Sequence, residues 1–146
     1  MMKTRKTWVL IANGKTARVL EYAGPGKGLY ALAGKVWQAP QKGAFESEQG
    51  MTNNSVGRSK HRMAPHNTPD KEESAFAKEL AEHLSKAHTN REFDDLVLTA
   101  SPHMLGLLRP ELDASVRDAV IAELPKDLVK TPDFDLKGHF EDVLRL

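Results

Sequence analysis

The chain has 146 residues, with 21 Lys and Arg against 20 Asp and Glu, and its formal charge is +1. This length is typical of one domain, so we predict a single domain over residues 1–146. The balanced charge argues against a protein that coats nucleic acid with its whole surface. Because the chain has no Cys, disulfides, thiolate metal sites and Cys nucleophiles are excluded.

The first residues resemble a secretory signal but lack its length. Residues 1–6 are basic and residues 8–12 are apolar, but the apolar run stops at Asn13. A signal peptide needs an apolar stretch of roughly 7–15 residues, and a membrane span needs about 20. We therefore expect a strand here, a cytoplasmic protein and no membrane insertion.

Three strands are predicted at the start of the chain. Residues 8–12 are apolar throughout, which is typical of a strand buried on both faces. Asn13 and Gly14 favour a tight hairpin turn, and residues 16–22 alternate as a half-exposed strand does. After a turn cluster at residues 24–28, residues 29–37 form the third predicted strand. Short connections make these strands an antiparallel meander.

A long polar segment follows, at about residues 39–68. It shows no period and contains few large apolar side chains. Between residues 49 and 69 it has no acid at all. Loops of this length are uncommon inside a compact domain and are usually functional or disordered. We predict a long, flexible, basic loop.

The cations of this loop are its candidate binding groups. Arg58, Lys60 and Arg62 alternate along the chain, with His61 between them. An extended conformation would put the three cations on one side, where they could meet phosphates. The alternative is a solvated loop without a ligand.

Helices and parallel strands are predicted for the rest of the chain. Thr68 and Pro69 indicate a helix start, and that helix should stop near Asn90. Its apolar stripe repeats at i+4. Residues 96–100 favour a central, parallel strand, and Ser101 with Pro102 indicates a second helix.

The last third contains one ambiguous stretch. Residues 112–124 fit a helix by their i+4 spacing and a strand by alternation. We favour a helix to about Leu112, a turn near residues 113–118 and a strand over residues 119–124. Thr131 and Pro132 then indicate a last helix.

The element order is therefore β-β-β-α-β-α-β-α. A meander followed by βα units, with helices covering the sheet, predicts an α/β fold with a mixed five-stranded sheet. This is the order of ribonuclease-H-like folds, which serve many functions.

A two-metal nuclease is the first enzymatic alternative, and the acids are badly placed for it. Such chemistry needs carboxylates that converge on a pair of cations. The first strand has no acid, and Asp94 and Asp95 precede the fourth strand. Ligands bind at the carboxyl ends of parallel strands instead. We therefore interpret the two acids as solvent-exposed residues that lead into the strand.

The histidines and glycines match no established catalytic motif. There is no H-E-x-x-H, no phosphate-binding loop and no nucleophile elbow. Glu79 and His83 are four residues apart and could pair on a helix surface. We expect no catalytic residue, no metal and no cofactor. Ser101 and His103, at a helix start, form a second anion-binding candidate, although capping explains Ser101 equally well.

Six short strings lie along nearly the whole chain. They are VLIANG at residues 9–14, ARV at 17–19, FDDLVL at 93–98, SP at 101–102, LGLLR at 105–109 and ELPKDL at 123–128. Together they resemble the bacterial host attachment protein family. The resemblance implies a requirement in bacterial attachment to host cells, which is a phenotype rather than a molecular activity.

That family in turn is similar to the central domain of class I release factors of eukaryotes and archaea. The similarity implies a release-factor-like fold, and it places the loop at residues 39–68 where those factors carry a ribosome-directed Gly-Gly-Gln loop. This chain has no Gly-Gly-Gln, so peptide release is not carried over. What the resemblance implies is a loop that faces the ribosome or RNA through Arg58, Lys60, His61 and Arg62.

These observations predict a non-enzymatic member of the host attachment family whose partners are ribosomes or RNA. The enzymatic alternative is a metal- or His-dependent hydrolase of RNA or phosphate esters that uses His61, His66 or His103. A third alternative is an adhesion-linked or regulatory partner-binding protein.

Overall fold

The computed structural model of the chain describes residues 5–24, 28–39 and 64–144, with the backbone alone for residues 64–70. The strands of this part are β1 (Thr7–Ala12), β2 (Thr16–Tyr22), β3 (Leu29–Gln38), β4 (Asp95–Ala100) and β5 (Val120–Leu124). Its helices are α1 (Ala64–Thr89), α2 (Pro102–Leu108), α3 (Ala114–Ala119) and α4 (Asp133–Phe140), with a 3₁₀ turn at Arg109–Glu111.

The strands form one mixed sheet in the order β3-β2-β1-β4-β5. The neighbours of β1 run in opposite directions, because β2 is antiparallel to it and β4 is parallel. β5 continues the parallel half and β3 the antiparallel half. The prediction of an α/β fold with a mixed five-stranded sheet is confirmed. As a consequence, the carboxyl ends of β1, β3, β4 and β5 all lie at one edge, which we call the carboxyl edge.

β1 is the centre of the molecule. All six of its residues are buried, as its continuous apolar sequence predicts. Its side chains alternate between the two faces of the sheet. Leu10 belongs to the apolar cluster on one face, whereas Val9 and Ile11 belong to the cluster on the other.

The two faces of the sheet are covered unequally. One face packs against α1, α2 and α3, and the stripe of Phe76, Leu80 and Leu84 on α1 is fully buried there. The other face packs against α4 and the segments around it, through residues such as Leu136 and Phe140. The predicted i+4 stripe is therefore confirmed as the core-facing side of α1.

The turn between β1 and β2 is a hairpin, as predicted, but its chemistry differs from the expected tight turn. The Asn13 Oδ1 atom accepts hydrogen bonds from the backbone N–H groups of Lys15 (2.8 Å) and Thr16 (3.0 Å). The backbone of Gly14 does not adopt a left-handed φ. The Asn13 side chain therefore shapes the turn, and Gly14 serves another purpose, described below.

The first helix starts earlier than predicted. It begins at Ala64, so Thr68 and Pro69 lie inside α1 and residues 64–68 do not belong to the loop. The physical reason is Pro65, which occupies the second helical position, where a missing N–H costs no intrahelical bond. Pro69, one turn later, leaves the helix without one i→i−4 bond, which a helix of 26 residues tolerates.

The predicted turn at residues 113–118 was wrong, because α3 fills most of it. Asp113 is the N-cap, and its Oδ1 atom accepts from the backbone N–H of Val116 (2.9 Å) and the hydroxyl of Ser115 (2.9 Å). Ser85 on α1 donates to Oδ2 at 2.6 Å. The helix expected to reach Leu112 ends as the 3₁₀ turn, whereas the strand after α3 is confirmed.

Two other predicted caps fail. Ser101 precedes α2 without forming a side-chain capping hydrogen bond. The N-cap of α4 is Pro132 rather than Thr131. In both cases the proline, which pre-sets the helical φ, marks the start of the helix.

The carboxyl end of α1 is closed by a left-handed residue. Arg91 has a φ of 61°, and its N–H donates to the carbonyl of His88 (3.0 Å), while that of Glu92 donates to Ala87 (2.9 Å). This is a Schellman motif, in which glycine is the usual left-handed residue.

Replacing Arg91 with Gly is expected to stabilise the fold by about 0.5–1 kcal/mol, because glycine adopts this φ without steric cost. Urea unfolding measures the change. The matched control is Arg91→Ala, which keeps a Cβ in the left-handed region and should bring no gain. Equal stability of the Gly and Ala variants would contradict this account.

Asp113→Ala is expected to lower the free energy of unfolding by about 1 kcal/mol through the loss of a cap. The hydrogen bonds from Ser85, Val116 and Ser115 also lower the pKa of this carboxyl below its ordinary 3.8. Its stabilising contribution is thus complete above pH 3.8 and is lost as the pH falls through the lower pKa of the folded state.

The control for this pH dependence is Asp113→Asn, which retains a capping oxygen but cannot titrate. The stability difference between the wild type and this variant should stay constant above pH 3.8 and shrink as the pH falls below that value. A constant difference would disprove the assignment.

Candidate functional site

A polar cleft of about 490 Å³ opens at the carboxyl edge of the sheet. Its walls come from the turn after β1, from α1, from the residue after β4 and from the segment after β5. The lining residues are Asn13, Gly14, Lys15, Glu73, Ser101, Asp127 and Lys130. Open α/β sheets bind ligands in such a position, outside the carboxyl ends of their parallel strands.

Glu73 connects three elements within the cleft. Its Oε1 atom lies 3.2 Å from the Nε2 atom of His103 on α2. The rest of its carboxyl arm lies over Gly14, where an added Cβ would be 2.5 Å from Oε2 and 2.7 Å from Cδ. Gly14 therefore leaves the space that this arm of Glu73 occupies, and a larger residue there would displace the arm.

Asp127 is held by two donors on the opposite wall. The Asn13 Nδ2 atom donates to its carboxylate, at 3.2 Å from Oδ2, and the backbone N–H of Val129 donates to Oδ1 at 3.2 Å. Asn13 thus uses both ends of its amide, one inside its own turn and one across the cleft. It fixes the end of β1 against the segment after β5.

The two lysines of the cleft differ from these groups in having no ion-pair partner within the described residues. Lys15 and Lys130 are exposed, and their ammonium groups form no ion pair with any carboxylate in the described part of the chain. The Asp127 carboxylate, by contrast, accepts hydrogen bonds from Asn13 and Val129, and the Glu73 carboxylate contacts His103. The cleft therefore combines two ammonium groups that form no ion pair with two carboxylates.

The structure brings two of the predicted anion-binding residues to this cleft. Ser101 lines it directly, and His103 contributes through its contact with Glu73. The other four, Arg58, Lys60, His61 and Arg62, lie outside the described residues. The same is true of the side chain of His66, so their role stays a prediction.

The described ends of the chain on either side of the basic segment approach the same edge. The backbone N–H of Ala39, just after β3, donates to the carbonyl of Lys15 at 2.8 Å. On the other side of the segment, α1 places Glu73 in the cleft. The polypeptide therefore leaves the described part beside the cleft and re-enters through a helix that lines it.

The acidic pair at the start of β4, Asp94 and Asp95, lies at the opposite edge and is structural. Arg5 forms two hydrogen bonds to Asp95, at 2.8 and 2.7 Å, which raise the pKa of the guanidinium. Asp94 accepts from the backbone N–H of Lys6 at 2.9 Å. Across residues 5–24, 28–39 and 64–144, no three His, Asp or Glu side chains are grouped as metal ligands.

The predicted Glu79–His83 pair is present, with 3.7 Å between Oε2 and Nε2. The His83 ring also stacks on Trp37 of β3, with centroids 4.4 Å apart. These contacts join α1 to β3, the outer strand of the sheet, away from the cleft. They indicate that His83 has a packing role.

Four cleft residues were not found from the sequence: Lys15, Glu73, Asp127 and Lys130. A signal existed for Lys15 and Asp127, since each closely follows a predicted strand whose carboxyl end reaches the same edge. Glu73 carries no such signal, because its place depends on how α1 packs over Gly14.

Comparison with known proteins gives one family and one relative. The sequence profile of a family described as "Protein required for attachment to host cells" matches residues 8–140. A segment of 69 residues is 35% identical to Uncharacterized protein RP470 of Rickettsia prowazekii (strain Madrid E), and covers 45% of this chain and 46% of that protein. The match thus spans about half the length of the relative. Among the described residues, no helix combines the length and the apolar character needed to span a bilayer.

Gly14→Ala tests the contact between the turn and α1. At a position without a left-handed φ, alanine normally stabilises a protein by about 0.4–1 kcal/mol. Here its Cβ would displace the Glu73 arm and cost the exposed contact with His103, which is worth about 0.2–1 kcal/mol, so we expect this gain to be largely cancelled. Urea unfolding measures it.

The same change in a Glu73→Ala background provides the control. With this arm removed, Gly14→Ala should show its full stabilisation, which gives a coupling energy of about 0.2–1 kcal/mol between the two sites. An identical effect of Gly14→Ala in both backgrounds would show that the contact has no energetic weight.

Proposed function

The chain belongs to the family of proteins required for attachment to host cells, and within that family we propose that its molecular role is to bind RNA, in particular ribosomal RNA, without catalysing a reaction. The observation that carries this proposal is the acid-free basic segment. It contains Arg58, Lys60, His61 and Arg62, and the chain on both sides of it reaches the carboxyl edge.

The electrostatics of the described edge support an anionic partner. Lys15 and Lys130 bring two further cations to the place where the basic segment is attached. Neither lysine forms an ion pair with the nearby Glu73 or Asp127 carboxylates, so both ammonium groups are available to a phosphate. Clustered cations that keep no internal partner are what phosphate recognition requires.

We also propose that the fold is ribonuclease-H-like and related to the central domain of class I release factors. The observed strand order, an antiparallel meander continued by two parallel βα units, supports this relation. In such an arrangement the segment between β3 and α1 corresponds to the ribosome-directed loop of those factors. Because the Gly-Gly-Gln sequence is absent here, binding rather than peptide release is the proposed role.

A cytoplasmic site of action follows from this proposal. A protein that contacts ribosomes would influence attachment to host cells indirectly, through the synthesis of other proteins. Cell fractionation tests this point: the protein should appear in the ribosomal or soluble cytoplasmic fraction. Its recovery on the cell surface would favour a direct role in adhesion.

The main test is replacement of Arg58, Lys60 and Arg62 by Ala, with co-sedimentation of the full chain with ribosomes across a salt series. Each lost phosphate contact reduces the magnitude of the slope of log affinity against log salt concentration by roughly 0.7–0.9. For the triple variant this magnitude should therefore be smaller than that of the wild type by about 2–3. Between 50 and 200 mM salt, three such contacts correspond to a roughly 20- to 40-fold change in affinity.

A charge-matched control removes three exposed lysines that do not line the cleft, as Lys78→Ala, Lys86→Ala and Lys137→Ala. This control should retain the salt slope of the wild type. Equal losses in both triple variants would show that only net charge matters, and failure of the wild type to co-sediment at low salt would disprove the proposal. Hydrolysis of RNA or a phosphate ester that is lost in His103→Ala would contradict the non-enzymatic role.

A further inference from the structure

The cleft lies at the point where the direction of strand connection reverses. From β1 the chain moves to β2 on one side, whereas the parallel strand β4 lies on the other. Asn13 follows β1 and Ser101 follows β4, so the crevice between these two carboxyl ends is the topological switch point of the sheet. Ligands of open α/β sheets bind at such points.

The polar groups of the cleft are of two chemical kinds. Lys15 and Lys130 offer ammonium donors without an internal carboxylate partner. Asp127 offers a carboxylate acceptor that is exposed, and its Oδ2 atom accepts from Asn13 at 3.2 Å. A ligand that satisfies both kinds must carry an anion and hydroxyl donors.

We propose that this cleft binds one ribonucleotide unit, with the phosphate at Lys15 and Lys130 and the ribose hydroxyls at Asp127. The cleft volume of about 490 Å³ lies within the range of roughly 300–1,000 Å³ typical of small-molecule sites. Acidic side chains that accept from ribose hydroxyls are the usual partners of that sugar in α/β proteins. The proposal rests on the RNA-binding role above and names the part of the ligand that the described fold would hold.

Asp127 fits the ribose better than the other carboxylate of the cleft does. Glu73 is occupied, since Oε1 contacts His103 and the other carboxyl atoms lie over Gly14. Asp127 has lone pairs left on Oδ2 beyond the single bond from Asn13. The hydroxyl of Ser101, half-buried beside it, is a further polar group available to the ligand.

The test is a calorimetric titration of the full chain at low salt with three probes: adenosine 5′-monophosphate, its 2′-deoxy analogue and inorganic phosphate. The ribonucleotide should bind most tightly and inorganic phosphate most weakly. Lys15→Gln combined with Lys130→Gln should weaken ribonucleotide binding at least about tenfold, because both charge-assisted contacts to the phosphate are lost.

Asp127→Asn separates the sugar contact from the phosphate contact. Asparagine keeps an oxygen for the Val129 N–H but loses the charge, so the preference for the ribonucleotide over the deoxynucleotide should fall while inorganic phosphate still binds. The matched control, Lys86→Gln with Lys137→Gln, removes two cations remote from the cleft and should bind all three probes as the wild type does.

Two results would overturn the proposal: no binding of any probe at millimolar concentration, or nucleotide binding that the cleft lysine variant leaves unchanged. Binding to full-length RNA is tested separately, by the co-sedimentation with ribosomes described above. Co-sedimentation with ribosomes but no nucleotide binding disproves ligand binding at the cleft and remains compatible with RNA binding through the basic segment. Nucleotide binding without co-sedimentation supports a free nucleotide as the ligand and disproves the RNA-binding role.

Discussion

The burial of β1 on both faces is the constraint on which the rest of the molecule depends. Six consecutive residues without access to water cannot present a charged group, since an unpaired charge in such a core is strongly unfavourable. Polar chemistry is therefore confined to the two ends of the strand. At one end Arg5 and Asp95 satisfy each other, whereas at the other end Lys15 keeps its charge for an external partner.

The two edges differ in how their charged groups are used. At the amino edge the Arg5–Asp95 ion pair and the bond from the Lys6 N–H to Asp94 join β1 to β4. The carboxyl edge collects the ends of β1, β3, β4 and β5, together with Glu73 of α1, and its two cleft lysines form no ion pair within the described residues. Family membership names a phenotype, and this asymmetry supplies the physical basis on which a molecular role is proposed.

The sequence predicted the features that depend on neighbours along the chain. The strands, the apolar stripe of α1 and the β1–β2 hairpin follow from local patterns. The short helix α3 was missed although its Asp113 cap is local, because the i+4 spacing and the alternation overlap in residues 112–124. Most of the cleft was missed because Asn13 and Asp127, which form its wall, are 114 positions apart. Ser101 and His103 were found, since a serine-proline pair directly after a strand is visible without the fold.

The parallel pairing of β1 with β4 has a consequence for how the molecule is made. Lys6 and Asp94, which meet beside this pair, are separated by 88 positions, so a ribosome must synthesise most of the chain before the central ladder can close. Until then the β1–β2 hairpin exposes an apolar strand with one unpaired side, and closing so large a loop delays its protection. An apolar strand with an unpaired side is prone to aggregation, so the nascent chain is most exposed to it in the interval before β4 is synthesised.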